Sequence, residues 1–163
     1  MVRPGVRTGA THGMIIRAGS KAHILVLLQS LKHMSPETII ENIPDTYVAE
    51  SRIHGRGLFA ARPFGSGEVL ATLDGQIVPW ELYRDNPVAP EWNALPGDRL
   101  LVRPYATRYR FINHARSPNV GIETEKLTLH VLEPIEADEE LTLDYRAEPL
   151  PDEYLAMPDK GFL

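Results

Sequence analysis

The chain reads as a mostly β protein, built of several small twisted sheets with little helix. Three features predict this. Between Asp45 and Arg146, short β-type runs alternate with Gly, Pro and Asn turns. The stretch Asn119–Ile135 holds two alternating runs around Glu125-Lys126, a strong hairpin pattern. Helical patterning in this region is confined to a single turn near Pro79–Arg84.

The elements follow in order. Residues 1–20 are rich in Gly and basic residues without periodicity, and are expected to be disordered. Residues 21–33, KAHILVLLQSLKH, carry an apolar stripe that suits a short helix. Three readings of residues 1–33 stand side by side: an organelle-targeting segment, a flexible basic arm, or an extension ahead of a true start at Met34. A secretory signal fits badly, because the apolar stretch Ile24–Leu28 is short and no small-residue cleavage site follows. MSPETIIENIP, from Met34, opens like a helix, with Ser35 as N-cap, Pro36 at the first helical position and Glu37 in the first turn. Strands are then expected at Thr46–Glu50, Gly57–Ala61, Glu68–Gly75, Gln76–Pro79 and Asp98–Pro104. Residues 85–98, with three prolines, Asn86, Asn93 and Gly97, read as an irregular insertion. EELTLDY, from Glu139, reads as a buried strand ending at Tyr145.

Composition narrows the function classes. A chain of 163 residues with 43% apolar residues is one domain's worth of core. It has no cysteine, which removes disulfides and thiolate metal clusters, and the six His residues show no ligand spacing, so no metal is expected. No apolar run reaches the roughly 18 residues that span a membrane. Residues 1–33 carry five basic residues and no acid, while the remainder carries 12 basic and 22 acidic residues. The acidic body disfavours nucleic acid and favours a Lys- or Arg-rich protein partner. A solvated surface kept for solubility is the plain alternative.

Three segments carry chemistry. SRIHGRGLFA (Ser51–Ala60) contains Gly55-Arg56-Gly57, and two glycines around one residue allow positive φ and close backbone approach to a ligand. RFINHARSPN (Arg110–Asn119) places Asn113-His114 after an apolar step and closes on a Pro-Asn turn. Asn offers two donors and an acceptor on one planar amide. The third segment ends in Asp144-Tyr145. Taken singly, these are an ordinary turn, a turn Asn with a satisfied core His, and a core Tyr with a bonded hydroxyl.

Together and in this order, the three segments resemble SET-domain protein lysine methyltransferases over roughly residues 46–146. The resemblance implies a SET-domain fold whose C-terminal segment is threaded, pseudoknot-like, through a loop. It divides the chain into the extension 1–33, a SET domain at 34–146, and a lid or tail at 147–163 that must close without zinc. It implies S-adenosyl-L-methionine as methyl donor, held at Gly55, Arg56, Gly57, Asn113 and His114. Tyr145 is then the catalytic aromatic beside the reacting lysine, and Leu143 and Tyr105 (or Tyr109) are expected at the substrate channel. Leu143, where the family often carries an aromatic, leaves room for di- or trimethylation. Arg110 is expected to pair with a carboxylate, Asn119 to hold a turn, and Tyr154, Met157 and Phe162 to anchor the tail. Two departures flank the matched residues. Ala115-Arg116 stand where the family often has Ser-Cys or Ser-Asp, and Ala106 and Thr107 stand where it often has Gly-Asn.

The expected activity is methyl transfer to a protein lysine ε-amine, in the cytoplasm, or in an organelle if residues 1–33 target the chain. A non-catalytic SET-like module binding a peptide or protein, and a β-rich nucleic-acid adaptor using the basic arm, are the alternatives. Oligomeric state is left open, a homodimer among the options.

Overall fold

The computed structural model describes residues 39–85, 87 and 89–158. The extension 1–33, the helix expected at 21–33, Ser35–Glu37 and Phe162 lie outside them. Twelve short strands form five small sheets among these residues. No helix among the described residues is long and apolar enough to cross a membrane.

The strands are β1 (Ile39–Ile40), β2 (Thr46–Glu50), β3 (Arg56–Ala60), β4 (Val69–Thr72), β5 (Gln76–Pro79), β6 (Glu91–Leu95), β7 (Arg99–Arg103), β8 (Ala106–Thr107), β9 (Asn113–His114), β10 (Val120–Glu123), β11 (Thr128–Val131) and β12 (Thr142–Leu143). Helix α1 (Trp80–Asp85) follows β5, and α2 (Asp152–Leu155) lies in the tail. Strands β2 and β3 form an antiparallel hairpin, and β4, β11 and β10 form an antiparallel sheet with β11 central. The expected hairpin around Glu125-Lys126 is β10–β11, and Leu127 closes its turn at φ 53°.

Two expectations are corrected. The helix opening at Met34 does not run through Ile39–Ile40, which are extended and pair in parallel with Ala106–Thr107. Their β-branched side chains suit a strand, and the ladder supplies backbone partners that a local cap signal cannot foresee. The insertion at 85–98 is not wholly irregular, because β6 runs through Glu91–Leu95 and pairs along all five residues with β7. Its polar members point inward: Glu91 accepts from the Thr107 amide (2.8 Å) and hydroxyl (2.7 Å), and Asn93 Oδ1 accepts from buried Arg103 (2.7 Å). A strand that buries Glu and Asn shows no apolar alternation, so its sequence reads as loop.

The core has two parts. Leu58, Ala60, Ile112, Val120, Leu129, Leu141 and Leu143 lie in the main cluster. Val78, Trp80, Leu82, Tyr83, Ala94, Leu100 and Val102 form a second cluster on the β5–β7–β6 sheet and α1.

The threaded segment positions the site. Residues 139–143 run between β3 on one side and the 113–119 segment on the other. On the β3 side, Ala60 N–H donates to Glu139 O (2.9 Å) and Leu141 N–H to Leu58 O (2.8 Å). On the other, β12 pairs in parallel with β9, in register Thr142 with Asn113 and Leu143 with His114. Asn119 clamps the crossing: its Nδ2 donates to Glu140 O (2.9 Å) and its Oδ1 accepts from Thr142 N–H (2.8 Å). The strand expected over EELTLDY is thus short, and Tyr145 already opens a 3-10 turn (Tyr145–Ala147) capped by Asp144.

Candidate active site

The loop after β2 is tied to the threaded segment by side chains. Ser51 Oγ accepts from the amides of Ile53 (2.9 Å) and His54 (3.3 Å), as in a turn cap, and donates to the Glu140 carboxylate (2.8 Å). Gly55 sits at φ +51° with open space where a Cβ would go, so the loop can approach a ligand there. Gly57 differs: a Cβ would collide with the Glu140 carboxylate. The space beside the second glycine is taken by the protein's own acid.

Asn113 stands at the centre. Its Nδ2 lies 2.7 Å from Glu140 Oε1, 3.1 Å from Ser51 Oγ, and 3.2 Å from the carbonyls of both His54 and Arg56. One amide nitrogen has two protons, so four acceptors share them. Both donors are engaged inside the protein, and Oδ1 remains as the group Asn113 can offer outward. An amide oxygen suits an ammonium, so Asn113 can meet a cationic group of a ligand.

His114 is oriented by its neighbour in the crossing. Its Nδ1 accepts from the Tyr145 amide (3.2 Å), which places the ring proton of the neutral imidazole on Nε2. The His114 and Tyr145 rings lie 5.3 Å apart.

The Tyr145 hydroxyl donates to the Ile112 carbonyl at 2.5 Å. Burial, then the nearby Glu148 and Tyr154, push its pKa up to about 12. At neutral pH it is a proton donor and hydrogen-bonding post, and no base. Tyr145 lines a cleft of about 360 Å³ together with Trp92, Tyr109, Arg110, Glu148 and Tyr154. A second cleft of about 290 Å³ lies along β10 and reaches Leu143, Asp144 and, again, Glu148. Two concavities therefore flank the Leu143–Glu148 segment.

The remaining expected residues fall as follows. The Arg56 guanidinium lies 5.1 Å from the centre of the Phe111 ring, and Arg110 lies 5.8 Å from it. Arg110 makes no ion pair with a carboxylate among the described residues, contrary to expectation; the half-buried Phe111 ring beside it offers a cation–π contact instead. Leu143 is 3% exposed in the main core and borders the second cleft. Tyr105 is not brought to Tyr145. Its hydroxyl donates to Asp74 (2.7 Å), and that bond, then burial, push its pKa up to about 12. Tyr109 occupies the cleft in its place. Thr107, at the position of a family Asn, caps the 3-10 turn Arg108–Phe111 and binds Glu91.

The tail forms a wall of the cleft without cysteine. Tyr154 packs edge-on against Trp92 (5.1 Å between centroids) and Trp80 (5.9 Å), and Leu150 and Met157 join the same cluster. Glu153 accepts from Trp80 Nε1 (3.0 Å) and Arg84 (2.6 Å). Ser51, Glu140, Trp92 and Glu148 were not singled out by the sequence. Glu140 sits inside a matched segment and Ser51 begins another, so those two had a local signal; Trp92 and Glu148 had none.

The chain resembles solved structures of the Polycomb Repressive Complex 2 of Chaetomium thermophilum. It matches a humanized mutant bound to an inhibitor at 21% identity, over 72% of this chain and 17% of that chain, with a TM-score of 0.52. It matches the autoinhibited conformation bound to S-adenosylmethionine at 22% identity, over 72% of this chain and 17% of that chain, with a TM-score of 0.52. The apo complex in an autoinhibited state gives 21% identity, 71% and 16% coverage, and a TM-score of 0.51. At such identity these likenesses show the fold, and this chain spans about a sixth of the length of those chains. No curated protein matches the chain. The SET domain pattern matches residues 55–146, more than half the sequence and all three of the strands β3, β9 and β12 that meet at the crossing, and the chain belongs to the SET domain family.

Proposed function

We propose that this protein is an S-adenosylmethionine-dependent methyltransferase acting on a protein lysine ε-amine. One observation carries the reading: the parallel β9–β12 pairing sets Asn113, His114 and the hydroxyl of Tyr145 on a single crossing flanked by two clefts. The side chains around the Gly55 loop suit the amino-acid end of the methyl donor. Asn113 Oδ1 can take its ammonium, the Arg56 and Arg110 guanidiniums can face its carboxylate, and the open space at Gly55 admits its chain. Bound there, S-adenosylmethionine would supply an electrophilic methyl on a sulfonium.

The residues of this chain have three tasks. A lysine ammonium must lose a proton before it can attack, at a cost of roughly 4.6 kcal/mol at pH 7 from its reference pKa. A cleft walled by Trp92, Tyr109 and Tyr154 disfavours the charged form by desolvation. The Tyr145 hydroxyl, held by Ile112 O, orients the amine while keeping its own proton. The rest is alignment, a proximity effect. Leu143 offers no hydrogen bond to restrain a methylated amine, so the proposed products are di- and trimethyl-lysine.

The test is calorimetry with S-adenosylmethionine followed by a methyl-transfer assay on Lys-rich protein. Wild type should bind the donor, and Asn113→Ala should weaken binding by more than about tenfold, on the order of 1.4 kcal/mol. The aromatic walls of the Tyr145 cleft would serve a non-catalytic peptide-binding module equally well, and that is the second reading. Donor binding without transfer to any lysine would select it.

A further inference from the structure

Glu148 has no part in the reading so far, yet it lines both clefts and follows Tyr145 by three residues. Its Oε1 accepts from the Tyr109 hydroxyl at 2.9 Å, and the Ala94 amide and Asn93 side chain approach the same carboxylate. In the Tyr145 cleft it stands among four aromatic rings, those of Trp92, Tyr109, Tyr145 and Tyr154. These rings would strip water from an entering ammonium, and the Glu148 carboxylate is a group that can meet it there and accept its proton. A carboxylate needed only to tether the tail would not have to face the cavity.

We propose that Glu148 is the counter-charge of this cleft: its carboxylate receives the ammonium of the substrate lysine and takes one proton from it. The inference rests on the lysine-methyltransferase reading above. In the step, an N–H bond breaks and its electron pair stays on nitrogen. The proton forms an O–H bond on Glu148, which returns it to water through the open mouth of the cleft. The neutral amine is then free to react.

The groups facing Glu148 suit this role. Burial raises its pKa, while the Tyr109 bond, the Ala94 amide, Arg103 and Asn93 oppose the rise. A carboxyl above the usual range is a better proton acceptor than an ordinary one. Tyr109, buried and with its pKa raised well above the ordinary value, stays a donor. Tyr145, its pKa pushed up by burial, stays neutral, Tyr154 adds an aromatic wall, Arg110 lies against Phe111, and Glu91 is held by Thr107. On the second cleft, Asp144 and His130 are the titratable neighbours.

The experiment has two arms on the full chain. In the first, n-butylammonium, a lysine side-chain mimic, is titrated while tryptophan fluorescence reports on the Trp92 wall. Wild type should bind, and Glu148→Gln should bind at least tenfold more weakly while melting as a folded protein. Glu148→Asp, which keeps the charge, should restore part of the affinity. Equal binding by folded Glu148→Gln would overturn the counter-charge.

In the second arm, methyl transfer to poly-L-lysine is compared with transfer to poly(S-aminoethyl-L-cysteine), whose amine loses its proton more easily. Glu148→Gln should lose at least tenfold in kcat/KM on polylysine and much less on the analogue, with the low-pH limb of the pH profile displaced. An unchanged pH profile and equal losses on both polymers would overturn the proton step. If wild type binds n-butylammonium through Glu148 but transfers no methyl to either polymer, the functional reading fails and the cation site stands.

Discussion

The crossing of β3, β9 and β12 and the sheet β5–β7–β6 with its docked tail are held by different forces. The crossing relies on main-chain ladders and a compact polar knot of Ser51, Asn113, Asn119 and Glu140. The insertion sheet relies on an aromatic cluster of Trp80, Tyr83, Trp92 and Tyr154, with Arg103 buried between Glu91 and Asn93. A polar knot tolerates little change, because removing one partner leaves several half-buried groups without a bond. An aromatic cluster loses contact area piece by piece. The first is therefore suited to holding reacting atoms, and the second to carrying a wall that can vary.

The largest expected effect falls on the crossing and on turnover. Tyr145→Phe should lower kcat by about a hundredfold or more, roughly 2.7 kcal/mol of transition-state stabilisation. Stability should fall by only about 1 kcal/mol, from the Ile112 carbonyl left without its donor. Turnover near wild type in a protein of matching thermal stability would remove Tyr145 from the reaction and dissolve the contrast between the two regions.

Next comes the knot itself. Gly57→Ala should destabilise by about 2 kcal/mol, since the new methyl meets the Glu140 carboxylate. Glu140→Ala should cost about 2–3 kcal/mol, because Ser51 and Asn113 both lose it. In the double mutant the collision is gone, and denaturant unfolding should show a favourable coupling of about 1–2 kcal/mol. Strict additivity would mean that Gly57 is needed for something other than Glu140, and the cofactor would return as the reason.

On the insertion side, Tyr154→Ala should cost about 1–2 kcal/mol, through lost contact with Trp80 and Trp92. Tail residues after Arg146 should then become sensitive to proteolysis while the crossing keeps its amide protection. Loss of protection in both regions together would show that they unfold as one unit.

The two tail carboxylates sharpen the comparison through pH. Glu153 is held below the usual carboxylate range by its bonds to Trp80 and Arg84, so its contribution exists above the unfolded pKa and disappears as pH falls through the lowered one. Glu148 is raised by burial, so its folded form binds a proton more tightly, and the associated stability is full below the unfolded pKa and is lost as pH rises through the raised one. Thermal unfolding from about pH 3 to 8 should show Glu153→Gln flattening the acid side and Glu148→Gln the side above the ordinary carboxylate range. The reverse assignment would contradict the placement of the two groups. Smallest of all, Arg84→Ala should leave thermal unfolding nearly unchanged, because its pair with Glu153 is solvent-exposed.

How much of this was legible depended on where each partner lay in the sequence. Strands β2, β3, β4, β5, β7 and the β10–β11 hairpin follow from local alternation and turns. The residues of the crossing could be named because each sits in a short run with its own pattern. Strand β6 could not, because Glu91 and Asn93 become interior residues only once Thr107 and Arg103 arrive from elsewhere. Ile39–Ile40 likewise took their conformation from Ala106–Thr107, which no local cap encodes. The same logic divides the site. Local sequence specified that a Gly, an Asn-His pair and a terminal Tyr would be present. Only the folded chain decided that Glu140 fills the space at Gly57, that the Asn113 amide protons are engaged inward, and that Tyr109 rather than Tyr105 stands beside Tyr145. Local pattern acts through propensities over a few residues. The occupancy of one amide or one cleft depends on groups 27 to 89 residues apart, brought together by packing.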